Sequence, residues 1–188
     1  SQVRSASLEE VLRGEECALD SRMPCTILRP SMIFGPGNDR NISRLAAHLS
    51  RIRCIPVFGS GRHLQQPVFV DDVVGAILAS LARGPGGEYA LAGPRALPYN
   101  EVIDLVGAAV GVQPLKFHIP VHLALAACHL ARILPFELSL DTEQVRRLQE
   151  DKCYSIDAAT QDLGFTPLGF EAALTRIYRP ASTGQDHL

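Results

Sequence analysis

Short apolar runs alternate with helical patterns along the chain, and this alternation predicts a layered α/β fold. Residues 25–28 form an unalternating apolar run before Arg29-Pro30, which is typical of a parallel strand covered on both faces. Residues 88–92 are predicted to form a second strand. Further short extended segments are predicted over 55–58 and 67–70, and helices over 7–19, 42–53, 71–83, 99–110, 119–134, 141–150, 156–163 and 169–178.

The predicted sheet is too narrow for the number of helices around it. Only two strands suit a buried parallel sheet, and such a sheet makes a poor independent core. We therefore expect it to lean against another α/β half. No internal repeat or linker divides the chain, so residues 1–180 are predicted to form a single lobe and residues 181–188 a frayed tail.

Composition and charge exclude several classes of function. The net charge is −2 and no run of Lys or Arg occurs, so no nucleic-acid partner is predicted. The five cysteines are widely spaced without a CxxC pair, which favours reduced thiols in a cytoplasmic location. The most apolar segment, 119–134, is shorter than the ~20 residues of a membrane span. We expect it to be a buried or subunit-facing helix, with no membrane span.

Four segments together resemble one family of proteins. TILRPSMIFGPG (26–37) is similar to the strand and following loop of extended short-chain dehydrogenases and NAD-dependent epimerase/dehydratases. Three further segments follow in that family's order, over residues 55–77, 87–111 and 163–174. QQPVFVDDV with GPGNDR is closest to an atypical branch that includes the accessory subunit of respiratory complex I. The resemblance implies the C-terminal half of a Rossmann-like fold, with few parallel strands and many helices.

The loop after the first strand is the predicted ligand-facing region. In open α/β sheets, ligands bind outside the carboxyl ends of the strands. The resemblance implies NAD or NADP as the cofactor, contacted by Pro30, Ser31, Met32 and Ile33. The alternative is that these residues only turn the chain from strand to helix.

The resemblance also implies a small-molecule substrate, contacted by Arg40, Gln65 and Gln66. Gln65 stands where many epimerases carry a diphosphate-binding Arg. Because a guanidinium clamps phosphate with two hydrogen bonds, its loss argues against a nucleotide-sugar substrate.

The residues that carry the family's chemistry are missing from the sequence. The Gly-rich GxxGxxG fingerprint is absent, and Ser7 and Val11 stand where the family's catalytic Tyr and Lys are expected. We therefore predict no catalytic residue, and a substrate-binding lobe whose partner is a missing N-terminal half or a second copy of the chain. The alternative is a non-catalytic structural or assembly subunit of a larger complex.

Three smaller clusters have simple structural interpretations, so no metal site is predicted. Asp71-Asp72 precedes a helix and is expected to cap it. Asp39-Arg40 is expected to form an ion pair in a loop. The histidines at i, i+4 and i+11 share one face of the predicted helix and are expected to form a polar stripe; they are His118, His122 and His129.

Overall fold

The computed structural model describes residues 6–21, 23–37, 39, 41–123 and 150–178. Its helices are α1 (Ala6–Asp20), α2 (Ile42–Arg51), α3 (Val70–Arg83), α4 (Tyr99–Ala109), α5 (Asp157–Leu163) and α6 (Phe170–Tyr178). Its strands are β1 (Ile27–Pro30), β2 (Ile33–Phe34), β3 (Cys54–Phe58), β4 (Leu64–Gln65), β5 (Val68–Phe69), β6 (Glu88–Leu91), β7 (Leu97–Pro98) and β8 (Leu115–Ile119).

The strands of the described residues associate in pairs, and most of the pairs are parallel. β1 pairs with β6, with Ile27 opposite Glu88 and Pro30 opposite Leu91. β2 pairs in parallel with β5, and β3 with β8, whereas β4 and β7 are antiparallel. The two segments predicted to be strands near residues 25–28 and 88–92 therefore lie side by side and run parallel.

Two strand predictions are corrected by the structure. The first strand lies at Ile27–Pro30, two residues later than the apolar run that predicted it, because its pairing with β6 continues through Arg29-Pro30. Only two strands are expected to suit a parallel sheet, whereas three parallel pairs occur in the described residues. The extended segments predicted at 55–58 and 67–70 correspond to β3 and β5. β8 occupies residues 115–119 because its backbone pairs with β3. Residue 119, where the predicted helix 119–134 would begin, is therefore the last residue of a strand.

The larger hydrophobic core forms between α2, α4, α6 and β3. Helical spacing brings Ile42, Ala46 and Leu49 of α2 to one buried face. The side chain of Asp39 accepts hydrogen bonds from three backbone N–H groups at the start of this helix, at 2.7–3.0 Å. The Asp39 side chain therefore stabilises the start of α2. Its predicted partner, Arg40, lies outside the described residues.

A second, smaller core lies between the β1–β6 pair, α3 and α5. It contains Val73 and Ala76 of α3 and Tyr89 and Leu91 of β6, with Leu28 of β1 packed against it. Beside this cluster, the Tyr89 hydroxyl donates to Asp162 of α5 at 2.8 Å and accepts from Arg83 at the end of α3 at 2.7 Å. The two helices are thus tied to the same strand.

Candidate functional site

The predicted ligand-facing loop is held between two strands at the carboxyl end of β1. The Ser31 N–H donates to the carbonyl oxygen of Leu91 at 2.9 Å, and the Ser31 hydroxyl donates to the carbonyl oxygen of Gln66 at 2.5 Å. The Met32 carbonyl accepts from the N–H of Val68 at 3.0 Å. This position agrees with the strand-end location expected for a ligand-facing loop.

The side chains of the loop differ in how far they face outward. Pro30 and Ile33 are exposed, whereas Ser31 and Met32 are partly buried. The next side chain, Phe34, is buried and meets Phe170 of α6 edge to face, with ring centroids 5.0 Å apart. The loop is therefore held in place by Ser31 and Phe34, while Pro30 and Ile33 give it an apolar outer surface.

Gln66 uses its side chain to join three segments of the chain. Its Nε2 donates to the carbonyl oxygens of Gly93 and Tyr154, at 2.7 and 3.2 Å. Its Oε1 accepts from the N–H of Tyr154 at 2.7 Å. Both polar groups of the amide are engaged by protein, so Gln66 shapes the region without offering a free group to a ligand.

Gln65 is buried to the same degree but has an unpartnered donor. Its residue is 3% exposed, and its Nε2 has no hydrogen-bond partner among the described residues. Gln65 lies opposite Leu97 in the β4–β7 ladder, one residue before the backbone carbonyl that binds Ser31. A buried donor without a partner is costly, and a ligand or an ordered water at this position would satisfy it.

A segment that the sequence patterns do not reveal completes this region. Leu64 donates its N–H to the Asp151 carboxylate at 2.8 Å, and the Lys152 N–H donates to the Leu64 carbonyl at 2.9 Å. Residues 151–154 therefore run along β4 and continue to Gln66. No periodic pattern marks them in the sequence, because their partners lie almost 90 residues earlier in the chain.

The two aspartates predicted to cap a helix have different roles. Asp71 and Asp72 lie inside the first turn of α3, because the helix begins at Val70 and its N-cap position is Phe69. The prediction that they cap α3 is therefore wrong. Instead, Asp72 accepts the N–H of Leu168 at 2.8 Å, and Asp71 forms a 3.1 Å ion pair with Arg176.

The predicted histidine stripe does not share one helix. His118 belongs to strand β8, which rules out the assumed helical spacing, and His122 is exposed in a helical turn. His129 and most of the predicted helix 119–134 lie outside the described residues, as does predicted helix 141–150 except for its last residue. Among the helices that the structure describes, none is long and apolar enough to cross a membrane.

At two glycines of the described residues, a neighbouring side chain occupies the space that a phosphate would need. A phosphate cradle needs open space above the glycine backbone. Beside Gly61 that space is filled by the side chain of Asn100, and beside Gly35 by the side chain of Val70. Neither Gly61 nor Gly35 is therefore suited to bind a phosphate.

The positions that correspond to the family's acid/base pair carry no such chemistry. Val11 is an exposed aliphatic residue on α1. Elsewhere, a hydrogen bond to Asp162 raises the pKa of Tyr89, and burial raises the pKa of Tyr99. Catalysis near neutral pH needs a phenol with a lowered pKa, so neither tyrosine is suited to that role.

A cavity of about 440 Å³ is lined in part by Pro67. Its walls include Arg95, Leu97, Leu105 and the first turn of α6. Of the predicted ligand-binding residues that the structure describes, none lines this cavity. Arg95 is paired with Glu101 at 2.5 Å, so its charge is already compensated.

The parallel strand pairs and the strand-end loop define a Rossmann-like α/β protein. The structure of the UDP-glucose 4-epimerase of Thermotoga maritima with UDP-glucose superimposes on 92% of this chain and 50% of that one. The TM-score is 0.64 and the sequence identity 20%, which establishes the fold alone. The predicted fold class is thus confirmed.

Sequence comparison relates the chain to a known family. Residues 14–92 match the model of the NAD dependent epimerase/dehydratase family. A subunit of mitochondrial NADH dehydrogenase (alpha subcomplex subunit 9) from Arabidopsis thaliana is 28% identical over 87% of this chain and 43% of its own length. The 2-alkyl-3-oxoalkanoate reductase of Stenotrophomonas maltophilia is 29% identical over 85% of this chain and 52% of its own length.

The chain is therefore related to the NAD-dependent epimerase/dehydratase family, close to the branch of the NADH dehydrogenase subunits. This confirms the predicted resemblance. The chain spans about half the length of these curated relatives.

Proposed function

We propose that this chain is the substrate-side lobe of an NAD(P)-dependent epimerase/dehydratase-like or oxidoreductase-like protein. In this proposal it supplies walls of the ligand site, and the reaction chemistry is absent from it. The observation that carries the proposal is the buried Nε2 of Gln65, which has no partner among the described residues and belongs to the residue before the carbonyl that holds Ser31. A ligand acceptor at this position would remove the cost of the unmade hydrogen bond.

Each predicted site residue has a distinct part in the proposal. Pro30, Ser31, Met32 and Ile33 form the cofactor-facing edge, with Ser31 holding the loop in place through Gln66. Gln65 donates to the substrate, and Gln66 fixes the wall behind it. Arg40 follows the same loop in the sequence and is proposed as a further substrate contact.

The cofactor-binding half of the site would come from outside this chain. The GxxGxxG fingerprint is absent from the sequence, and the chain matches only about half of each relative. We propose that a missing N-terminal half, or alternatively a second copy of the chain, supplies the rest. The free thiols of the described cysteines support a cytoplasmic, reducing location; these are Cys17, Cys25, Cys54 and Cys153.

The first test asks whether the chain alone binds cofactor. NADH and NADPH are titrated into the 188-residue chain and followed by nicotinamide fluorescence. Because the sequence carries no GxxGxxG fingerprint, we expect no saturation below about 1 mM, an affinity of only about 4 kcal/mol. Saturable binding at lower concentration, or NADH turnover by the chain alone, would contradict the proposal.

The second test examines Gln65 in a complete ligand site. The half of the Stenotrophomonas reductase that lies outside the match is joined ahead of Ser1, giving a chimeric protein that we call the fusion. UDP-glucose and a 2-alkyl-3-oxo acid are the probes, because they are the ligand types in the names of the compared proteins. We expect Gln65→Leu to weaken binding of the accepted probe about tenfold, which corresponds to one hydrogen bond.

The affinity of the fusion for NADH serves as the internal control for Gln65→Leu and should not change. Equal probe affinities in the two forms, or binding of neither probe, contradict the role of Gln65. The comparison uses two forms of the same fusion, so differences in the attached half cancel.

A second candidate function is a non-catalytic structural or assembly subunit. Two of the related proteins are NADH dehydrogenase subunits. In this chain, none of the α1 side chains that the structure describes is buried. Helices of that kind require a partner. Co-purification separates this function from the first, since an isolated, monodisperse monomer that retains the ligand site has no assembly role.

A further inference from the structure

The side of the β3–β8 pair that points away from the core is apolar along its whole length. Ile55 and Val57 of β3 belong to the larger core, so the alternate residues of both strands point the other way. Among these, Leu115 is 59% exposed and Phe117 58% exposed. We call this side of the pair the outer face; its residues are Cys54, Pro56, Phe58, Leu115, Phe117 and Ile119.

The composition of the outer face is that of a contact surface. When one side of a sheet packs on a core, the solvated side normally carries polar residues. The outer face instead carries five apolar residues and one cysteine. Ile52, two residues before β3 begins, is also exposed. Contiguous exposed apolar side chains mark a surface that another element covers.

The path of the chain brings one segment to the end of this pair twice. β8 finishes at Ile119, whose carbonyl oxygen accepts the N–H of Gly59, the residue after β3, at 2.8 Å. Residues 124–149, which lie outside the described residues, follow soon afterwards. Where the description resumes, the N–H of Lys152 donates to the carbonyl oxygen of Leu64, one turn after β3. The segment therefore starts and finishes at the end of the pair where both strands end.

The sequence after β8 predicts a helix whose apolar side matches the outer face in length. A helical turn is present from Val121, and the apolar pattern that predicts helix 119–134 continues from it. A helix over 121–134 would be about 21 Å long, against about 17 Å for a five-residue strand. Its two sides differ, because the spacing i, i+4, i+7 and i+11 places Leu and Ala together, opposite His and Arg. The apolar side is Leu123, Ala127, Leu130 and Leu134, and the polar side is His122, His129 and Arg132.

We infer that residues 124–149 cover the outer face, with the predicted helix running back along β8. The segment is tethered to the face through a few residues, which gives it a high effective concentration there that a second copy of the chain does not have. The inference does not use the proposed function, but it bears on the ligand region. Residues 151–154 continue from the segment along β4, so a segment held on the outer face fixes the direction from which they reach Gln66.

Cross-linking in the full chain tests the inference directly. The five cysteines are replaced by alanine, and Phe117→Cys is combined with Ala127→Cys. The matched control combines His118→Cys with Ala127→Cys, because His118 is the next residue of β8, is also exposed, and points to the opposite side of the strand. A short bismaleimide is added, and the cross-linked peptides are quantified by mass spectrometry. We expect at least about tenfold more cross-link within one chain for the pair with residue 117 than for the pair with residue 118.

Each alternative outcome of the cross-linking overturns the inference. Equal yields for the two pairs mean that the segment has no preference for the outer face. Cross-links between two chains, seen as a dimer on a denaturing gel, mean that a second copy covers the face. Labelling of both thiols without a cross-link leaves the face open to another partner. No ligand enters this experiment, so its failure is independent of the test on Gln65.

Urea unfolding gives a second, independent measurement. Leu130→Glu puts a charge on the apolar side of the predicted helix, and Leu125→Glu puts the same charge between His122 and His129 on its polar side. We expect Leu130→Glu to lower the unfolding midpoint, and Leu125→Glu to shift it by less than about a third as much. In a chain that already carries Phe117→Ser, Leu130→Glu should have little further effect, because both changes break the same contact.

Two results of the unfolding measurement contradict the inference. Equal shifts for the two glutamate variants mean that the predicted helix has no buried side. Additive effects of Phe117→Ser and Leu130→Glu mean that the two residues belong to separate contacts. The cross-linking introduces no charge, so it decides the question where a glutamate variant fails to fold.

Discussion

At the scale of single residues, two adjacent glutamines have opposite energetic roles. Gln66 makes three side-chain hydrogen bonds, to Gly93 and Tyr154, whereas the Nε2 of Gln65 makes none to the residues that the structure describes. An identical side chain in equally buried positions therefore stabilises the fold in one case and weakens it in the other. The pairing with Tyr154 spans 88 residues of sequence, so sequence patterns could mark both glutamines but could not separate their roles.

This difference predicts opposite outcomes for the same substitution. Gln66→Leu leaves buried carbonyl and N–H groups unpaired, and we expect the free energy of unfolding to fall by about 3 kcal/mol. Gln65→Leu removes an unsatisfied donor, so we expect a change within about 0.5 kcal/mol or a small gain. Urea unfolding of the two variants measures both values. A comparable loss for Gln65→Leu would show that its amide has a partner in the chain.

At the scale of elements, packing between segments decides what the local pattern leaves open. No strand is predicted at 115–119, although apolar and polar side chains alternate there. The apolar side includes Leu115 and Phe117, which are exposed in the structure. The pairing with β3 fixes the strand. Strands β2, β4, β5 and β7 are two residues long, too short for any periodic signal. By contrast, α2 was predictable because its apolar spacing is regular along the helix.

Two glycines show how closely neighbouring elements approach. A side chain at Gly93, just after β6, would collide with the carbonyl oxygen of Pro67, whereas one at Gly75 of α3 would meet nothing within 4 Å. We expect Gly93→Ala to lower the free energy of unfolding by about 2 kcal/mol, because the backbone must move. Gly75→Ala should raise it by about 0.5–1 kcal/mol in the isolated chain, from helix propensity. Urea unfolding compares the two, and equal effects would contradict this packing.

At the scale of the whole molecule, the two cores are unequal in their dependence on a partner. The larger core buries Val102, Ile103 and Val106 of α4 completely and closes on α2 and α6. The smaller core lies under α3 and the β1–β6 pair, beside the exposed side of α3 and the open edge of β1. The narrow sheet predicted from the sequence indicated that the chain depends on a partner. Which of the two cores depends on it could be seen only from the contacts between α3, β6 and α5.

The unequal cores predict unequal protection from hydrogen exchange in the isolated chain. From Glu10 onward α1 has no buried side chain, and its ion pair from Glu15 to Arg29 is at the surface, where such pairs contribute little. An isolated helix of this length is marginal in water, and the described side chains of α1 add little packing to it. We therefore expect α1 amides to exchange within about tenfold of the unfolded-chain rate, while α4 amides are protected by the global stability. Mass spectrometry after timed exchange resolves the two helices. Equal protection of α1 and α4 would mean that the chain already forms a complete cooperative unit, and the need for a second half would disappear.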